Sequence, residues 1–419
     1  MTPALGALNR MYDFLKNRFS PFKHRDFRLF FFAQSVSLIG VLAHEMARSW
    51  IIVDMMGRAT DLGTLNLALA VPSLLLMPYG GFLVDRINVR SLMISTKALL
   101  ALLSLGIAYV VEFNQIQMWM LVGFAITEGF VNAFDSPSFQ KLVVRLVPRA
   151  DYQQAMALNS TNFHTARALG PFAAGFLMQF HGPSLVFFAD AVSFIGVIVA
   201  LKMIKLRAQP AEPIDESMPT GFFSGFKYLL KDPIIRYRLL QLYLAIGIVF
   251  PLILVVFRTF IQKKFALDSH DFAYVFMFPA IGSFLGALTF TFLKPKNPLR
   301  VLKFSIPLAT VMLIAVTQST ELAFTTLFMS LSGYSMYLSF ASLTVSLQLE
   351  VKESLRGRLS SMIAMGFVGF GPLMGYPIGI FADHVGFEFS VQVLAGIFLI
   401  GSLLLAIFHH DIKPKTAKK

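Results

Sequence analysis

Long apolar runs separated by short polar stretches make up most of the chain, and the runs fall in a narrow size class. A helix needs about 20 predominantly apolar residues to cross a hydrocarbon layer of about 30 Å. On that measure the pattern predicts spans at Phe27–Val53, Leu62–Val84, Ser91–Val111, Met118–Phe139, Ala155–Met178 and Ser184–Met203. A second set follows at Leu239–Phe260, Asp271–Leu293, Val301–Gln318, Leu322–Leu349, Ser360–Ala382 and Phe387–Phe408. Alternation of apolar and polar residues with a period of two, the mark of a membrane barrel, is absent, so the spans read as helices. Each helix then satisfies its own backbone in lipid. Most connections are so short that neighbouring helices must run antiparallel. The exception, Lys205 to Asp232, contains Pro210, Pro213, Pro219, Glu212, Asp215 and Glu216 and reads as a polar linker between two six-helix halves.

Composition agrees with this pattern. Apolar residues are 56% of the 419 and charged residues 14%, against roughly 25% charged in soluble domains. A net charge of +13 would suit a nucleic-acid partner, but the placement of the charges argues against one. With the N-terminus in the cytoplasm, the cytoplasmic segments hold most of the 36 basic residues, Arg86, Arg90, Lys141, Arg145, Arg149, Lys294, Lys296, Arg356 and Arg358 among them. The opposite loops hold Arg58, Lys263 and Lys264, with Arg258 at the edge of the seventh span. That bias places both termini inside. The expected organisation is a cytoplasmic segment 1–26, a six-helix bundle 27–204, a cytoplasmic linker 205–233, a second bundle 234–409 and a basic tail 410–419. Within the first segment, Gly6 to Phe22 reads either as an interfacial amphipathic helix or as a solvated basic tail. The basic stretch Arg10 to Arg28 is too long for a secretory signal.

Candidate chemistry narrows the function classes. There are no cysteines, which excludes disulfides and thiolate metal sites. A phosphate-binding GxxxxGK[ST] loop is missing, which excludes an ATP-driven pump within this chain. No nucleophile–base pair or metal-ligand set stands out, so no enzyme, cofactor or metal is expected.

The two halves look like copies. Gly170-Pro171 in the fifth span is matched by Gly371-Pro372 in the eleventh; each pair follows a basic loop and precedes a small residue, Gly175 or Gly375. Such repeats build secondary transporters, with the substrate site between the halves. Between the second and third spans the chain reads GFLVDRINVR, from Gly81 to Arg90. This resembles the G-x-L-a-D-R-x-G-R-K/R signature of the major facilitator superfamily: Gly81, Leu83, Asp85, Arg86 and Arg90 match, while Asn88 and Val89 depart. SWIIVDMMGRATDLG, FDSPSFQKLVVRLVP, MALNSTNFHTARALGPFAAG and LRGRLSSM are similar to the branch that holds the enterobactin exporter and macrolide efflux proteins of bacteria. ARALGPFAAG resembles the antiporter motif of the fifth span: Gly170, Pro171 and Gly175 match, and close helix packing or direct coupling would each explain them. Many drug/proton antiporters carry an arginine in the fourth span where this chain has Ala125, so the chemistry assigned to that arginine does not carry over.

The resemblance implies an all-α membrane protein of twelve helices in two pseudo-symmetric bundles. It implies export of a small organic molecule by alternating access, usually in exchange for protons, by a monomer in the bacterial inner membrane with lipids as its surroundings. A proton-independent facilitator, a lipid flippase and a non-transporting sensor are the rival readings.

Charges inside the spans are the strongest functional lead, because each costs at least about 2.5–3.5 kcal/mol at mid-membrane. Glu45, Arg48, Lys97, Glu128, Asp135, Arg167 and Asp190 all lie in the first half. Four acids face three bases. An acid left without a base in a low-dielectric setting takes up a proton near neutrality, as proton-coupled exchange requires. Glu45 and Arg48 share a helix face, and Glu128 and Arg167 are placed to pair near mid-membrane. By family resemblance Asp135 is expected to latch Arg86 or Arg90 in a cytoplasmic gate. Lys97 is expected to snorkel to the inner interface, and His44 to sit at the wet outer end of its span. The resemblance also assigns the cavity to the first, fourth, seventh and tenth spans, which offer Gln34, Asn132, Tyr243, Phe250, Tyr334 and Tyr337 besides the charges.

Overall fold

The computed structural model describes residues 19–206, 231–293, 295, 297–351 and 356–410, and these are almost entirely helical, with no strand among them. The amphipathic stretch Gly6 to Phe22 for the most part, the linker 205–233 for the most part, and the tail 410–419 apart from its first residue lie outside the described residues. The helices are α1 (Arg25–Met56), α2 (Ala59–Arg86), α3 (Val89–Glu112), α4 (Met118–Val144) and α5 (Tyr152–Met203), then α6 (Pro233–Pro251) and α7 (Phe257–Phe265). They continue as α8 (Ser269–Val275), α9 (Met277–Leu293), α10 (Pro298–Gln318), α11 (Leu322–Glu350), α12 (Arg356–Met365), α13 (Gly371–Val385) and α14 (Phe387–His410).

Nine described stretches are long and apolar enough to cross a membrane. One of them, Arg149–Met203, contains two passes. Helical geometry breaks there at His181 (φ −151°) and at Gly182, whose φ of 67° favours a residue without a side chain. Glu112 at the end of α3 holds the break, accepting from Ser184 Oγ at 2.6 Å and lying 3.0 Å from His181 Nε2. Helices α4 and α11 have the length of a span but do not reach that apolar composition. They bring the passes to the expected twelve.

Prolines explain where the second-half helices depart from regularity. The seventh and eleventh spans, read as continuous, each carry a π-helical turn, at Leu252–Val256 and Gly366–Phe370. Pro251 adjoins the first turn and Pro372 lies two residues past the second; each lacks the N–H that would close an i→i−4 bond. The eighth span breaks at Phe276, and Pro279 lacks the N–H that would reach Val275.

By Cα proximity the chain forms two compact units. The first is Met1–Ala47 with Leu75–Glu212, and the second is Arg48–Leu74 with Pro213–Lys419. The division cuts α1 and α2, so the hairpin between them belongs with second-half helices. In the first unit, α3 packs on α4 and α5. Its inner core gathers Phe27, Phe30, Val84, Met93, Leu142, Leu146, Val197 and Leu201. In the second, α11 packs on α9 and α10, and α6 on α13 and α14. The α9–α11 contact is close: a Cβ on Gly282 would lie 1.7 Å from the Ser330 carbonyl oxygen, and one on Gly333 would lie 2.1 Å from that of Pro279. Small residues at a crossing let backbones approach in this way.

Candidate functional site

The first unit contains a partly open cavity of about 150 Å³. Its polar lining comes from Gln34 and His44 of α1, Lys97 and Ser104 of α3, Glu128, Asn132 and Asp135 of α4, and Asp190 of α5. Leu38, Val41, Leu100, Leu103, Ile107, Phe124 and Phe194 complete the wall.

Two separate polar networks sit in that wall. In one, Asp190, only 1% exposed, accepts from Ser104 Oγ at 2.8 Å through Oδ2, and the same oxygen lies 2.9 Å from His44 Nδ1. The imidazole is buried edge-on against the Phe187 ring, with centroids 4.7 Å apart. Its Nε2 and the second carboxylate oxygen, Oδ1, are buried without partners. In the other network, Lys97 Nζ meets Asp135 Oδ2 at 2.8 Å and Thr96 Oγ1 donates to Oδ1 at 2.7 Å. The ammonium also lies 5.4 Å from the centroid of Phe194.

These contacts correct three expectations. Lys97 does not snorkel; it is 4% exposed and paired, because a buried acid neutralises it more effectively than a long reach to water. Asp135 takes Thr96 and Lys97 as its partners instead of latching Arg86 or Arg90. His44 is buried, because Asp190 of α5 supplies its polar contact.

The signature region is held by other means. Asn88 caps α3, its side-chain oxygen accepting from the backbone of Arg90 at 3.0 Å and Ser91 at 3.4 Å, so the departure from glycine supplies a cap. The Arg90 guanidinium donates to the carbonyl of Ile204 at the end of α5, and Lys141 donates to that of Val84 at 2.8 Å. Cations at helix C-termini satisfy carbonyls left without partners. Arg86 is exposed and its guanidinium lies 4.0 Å from the centroid of Phe82. For Gly81 and Asp85 the structure describes only the helical backbone.

The remaining expected residues are distributed as follows. Gln34 and Asn132 line the first-unit cavity, and Gln34 Oε1 is buried without a partner. Glu45 and Glu128 are half-buried, and Arg48 is 4% exposed. Arg167 is half-buried, its guanidinium 5.9 Å from the Phe163 centroid. Gly170 faces α1, where an added Cβ would come within 2.5 Å of the Leu42 Cβ; Pro171 and Gly175 beside it are buried. In the second unit, Tyr243 donates to the Met362 carbonyl at 2.7 Å, and Phe250 packs on Phe340 and Phe367. Tyr334 and Tyr337 lie beside Gly286 at the α9–α11 contact. A cavity of the second unit, about 230 Å³ between α6, α10 and α14, is lined mostly by apolar residues.

Sequence reasoning missed Ser104 and Asp383. The Asp383 carboxylate accepts from the backbone N–H of Ala59 at 3.0 Å and of Thr60 at 2.8 Å, and from the Thr60 hydroxyl, so α13 caps the start of α2 within the second unit. Also within the second unit, Arg258 donates to the Ser49 hydroxyl. The available signal for Asp383 was a single acid at the end of a span otherwise free of charged acids and bases.

Twelve apolar passes with a charged cavity inside one bundle have the make-up of a multi-pass membrane transporter, and the matches to known proteins place the chain among transporters of the major facilitator type. Residues 16–417 match the family model described as transmembrane secretion effector, and the chain belongs to that family. The staphyloferrin A transporter of Staphylococcus aureus is 24% identical over 400 residues, covering 93% of this chain and 97% of that protein. The multidrug efflux pump Tap of Mycolicibacterium fortuitum is 21% identical over 252 residues, 58% of this chain and 61% of that one. Among solved structures, an inward-facing bacterial homologue of the human lysosomal transporter Spinster is similar at a TM-score of 0.71 and 12% identity, over 92% of this chain and 95% of that one. A bacterial homologue of the iron transporter ferroportin is similar at 0.69 and 16%, over 92% and 98%.

Proposed function

We propose that this protein exports a small organic molecule, of siderophore or drug-like type, by alternating access in exchange for protons. The bacterial cytoplasmic membrane is its site, with both termini in the cytoplasm. The observation that carries the reading is the cavity of the first unit, where Asp190, Glu128 and Asp135 share one small enclosure with His44 and Lys97. Carboxylates gathered in a membrane interior are expensive, and moving protons is a function that requires them. The siderophore class is supported by the relative from Staphylococcus aureus, which aligns along nearly the whole chain. The drug-like class is supported by the efflux pump, which matches over a shorter stretch.

The test has two stages. A deletion strain is screened for lost siderophore secretion and for new drug sensitivity, which names the cargo. The purified protein in liposomes is then asked to move that cargo against a pH gradient, alongside Glu45→Gln, Glu128→Gln and Asp190→Asn. Loss of gradient-driven flux in at least one variant is expected. Unchanged flux in all three, or flux indifferent to the gradient, overturns the coupling.

A further inference from the structure

We propose that His44, Asp190 and Ser104 form a single-proton site that is neutral only when occupied. This inference rests on the exchange reading and assigns it to particular atoms. Asp190 Oδ2 already accepts from the Ser104 hydroxyl and is in contact with His44 Nδ1, so the two groups share one oxygen. With a neutral imidazole donating from Nδ1, the group as a whole carries the carboxylate's single negative charge. One added proton makes it an imidazolium–carboxylate pair and removes that charge.

The surroundings favour a site of this kind. Asp190, His44 and Ser104 are 1%, 7% and 2% exposed, so bulk water screens the carboxylate little. The other ionisable groups lining the cavity are Lys97, Glu128 and Asp135, and Lys97 and Asp135 are engaged with each other. Glu45 and Arg48 flank His44 on its own helix.

The receiving atom is also specified. Asp190 Oδ1 faces Gly40, where a Cβ would lie 3.0 Å away, so backbone covers that oxygen. His44 Nε2 is buried without a partner on a residue that lines the cavity. The added proton is held at Nε2: side-chain motion opens that buried atom to the cavity, an N–H bond forms, and the O–H bond of the hydronium that delivers the proton breaks. Ser104 keeps Asp190 an acceptor throughout, which holds the imidazole in the tautomer that leaves Nε2 bare.

Proton binding can be measured without any cargo. The purified full-length protein in detergent is stepped from about pH 8 to about pH 5, the range in which histidine sites change charge, and a pH-indicator dye counts the protons bound. Asp190→Asn should bind one proton fewer per chain than the wild type, because an imidazolium without its carboxylate is disfavoured in a buried setting. His44→Gln should keep the proton on the bare acid but bind it at a different pH, the double variant should lose no more than Asp190→Asn, and Asp190→Glu should keep the proton. Uptake unchanged in Asp190→Asn, a titration of His44→Gln that superimposes on the wild type, or a loss of two protons in the double variant overturns the proposal. Size-exclusion profiles matching the wild type exclude misfolding as the cause of a loss. Because the titration uses no cargo, flux that ignores a pH gradient would defeat the exchange reading while leaving this result standing.

Discussion

Lys97 and Asp135 meet at 2.8 Å with side chains only 5% and 13% exposed. Removing one member of such a pair leaves the other charge unneutralised, which costs about 3–5 kcal/mol in buried settings. Lys97→Met should therefore lower the melting temperature in detergent clearly, and adding Asp135→Asn should restore much of the loss. Equal and additive losses would mean the two groups act independently. Acids such as Asp190 were legible in the sequence because a charge in an apolar run is conspicuous. The role of His44 was not, since its partner lies 146 positions away and nothing local points to it. Lys97 was misread for a related reason: its place along a span gives its depth, but not which neighbouring helix supplies an acid.

At the scale of whole elements, the helices were readable from run length, but their contacts were not. Gly282 and Gly333 stand out only once α9 and α11 are brought together. Gly282→Leu should then force the pair apart and sharply reduce stability, while Gly123→Ala, at a position with nothing within 4 Å of an added Cβ, should leave melting nearly unchanged. The junction of α13 and α2 supports a second expectation. Asp383 holds two backbone N–H groups and a hydroxyl at the start of α2, and loss of a capping side chain costs about 0.5–2 kcal/mol. Asp383→Ala should free the Arg48–Leu74 hairpin, seen as faster labelling of a cysteine placed at Arg58, which takes no part in the cap; labelling at the unaltered rate would mean the cap is incidental. The π turns were illegible as geometry, although Pro251 and Pro372 marked the places where regular bonding had to fail.

At the scale of the whole molecule, orientation can be tested directly because the chain has no cysteine, so each introduced one is a unique label. A cysteine at Gln115 should react in intact cells with a membrane-impermeant maleimide, and one at Ile87 should react only after permeabilisation. The reverse result would invert the proposed topology. The overall architecture was the most legible feature, since lipid leaves a chain few ways to satisfy its backbone. Helices α4 and α11 stand apart from the other passes because their composition falls short of that of the rest. During biosynthesis they gain least from entering lipid alone, so their insertion should depend on neighbours that are already seated. A nascent chain halted just after α4, without α5 to receive it, is thus the truncation most exposed to slippage from the bilayer and to quality-control proteolysis.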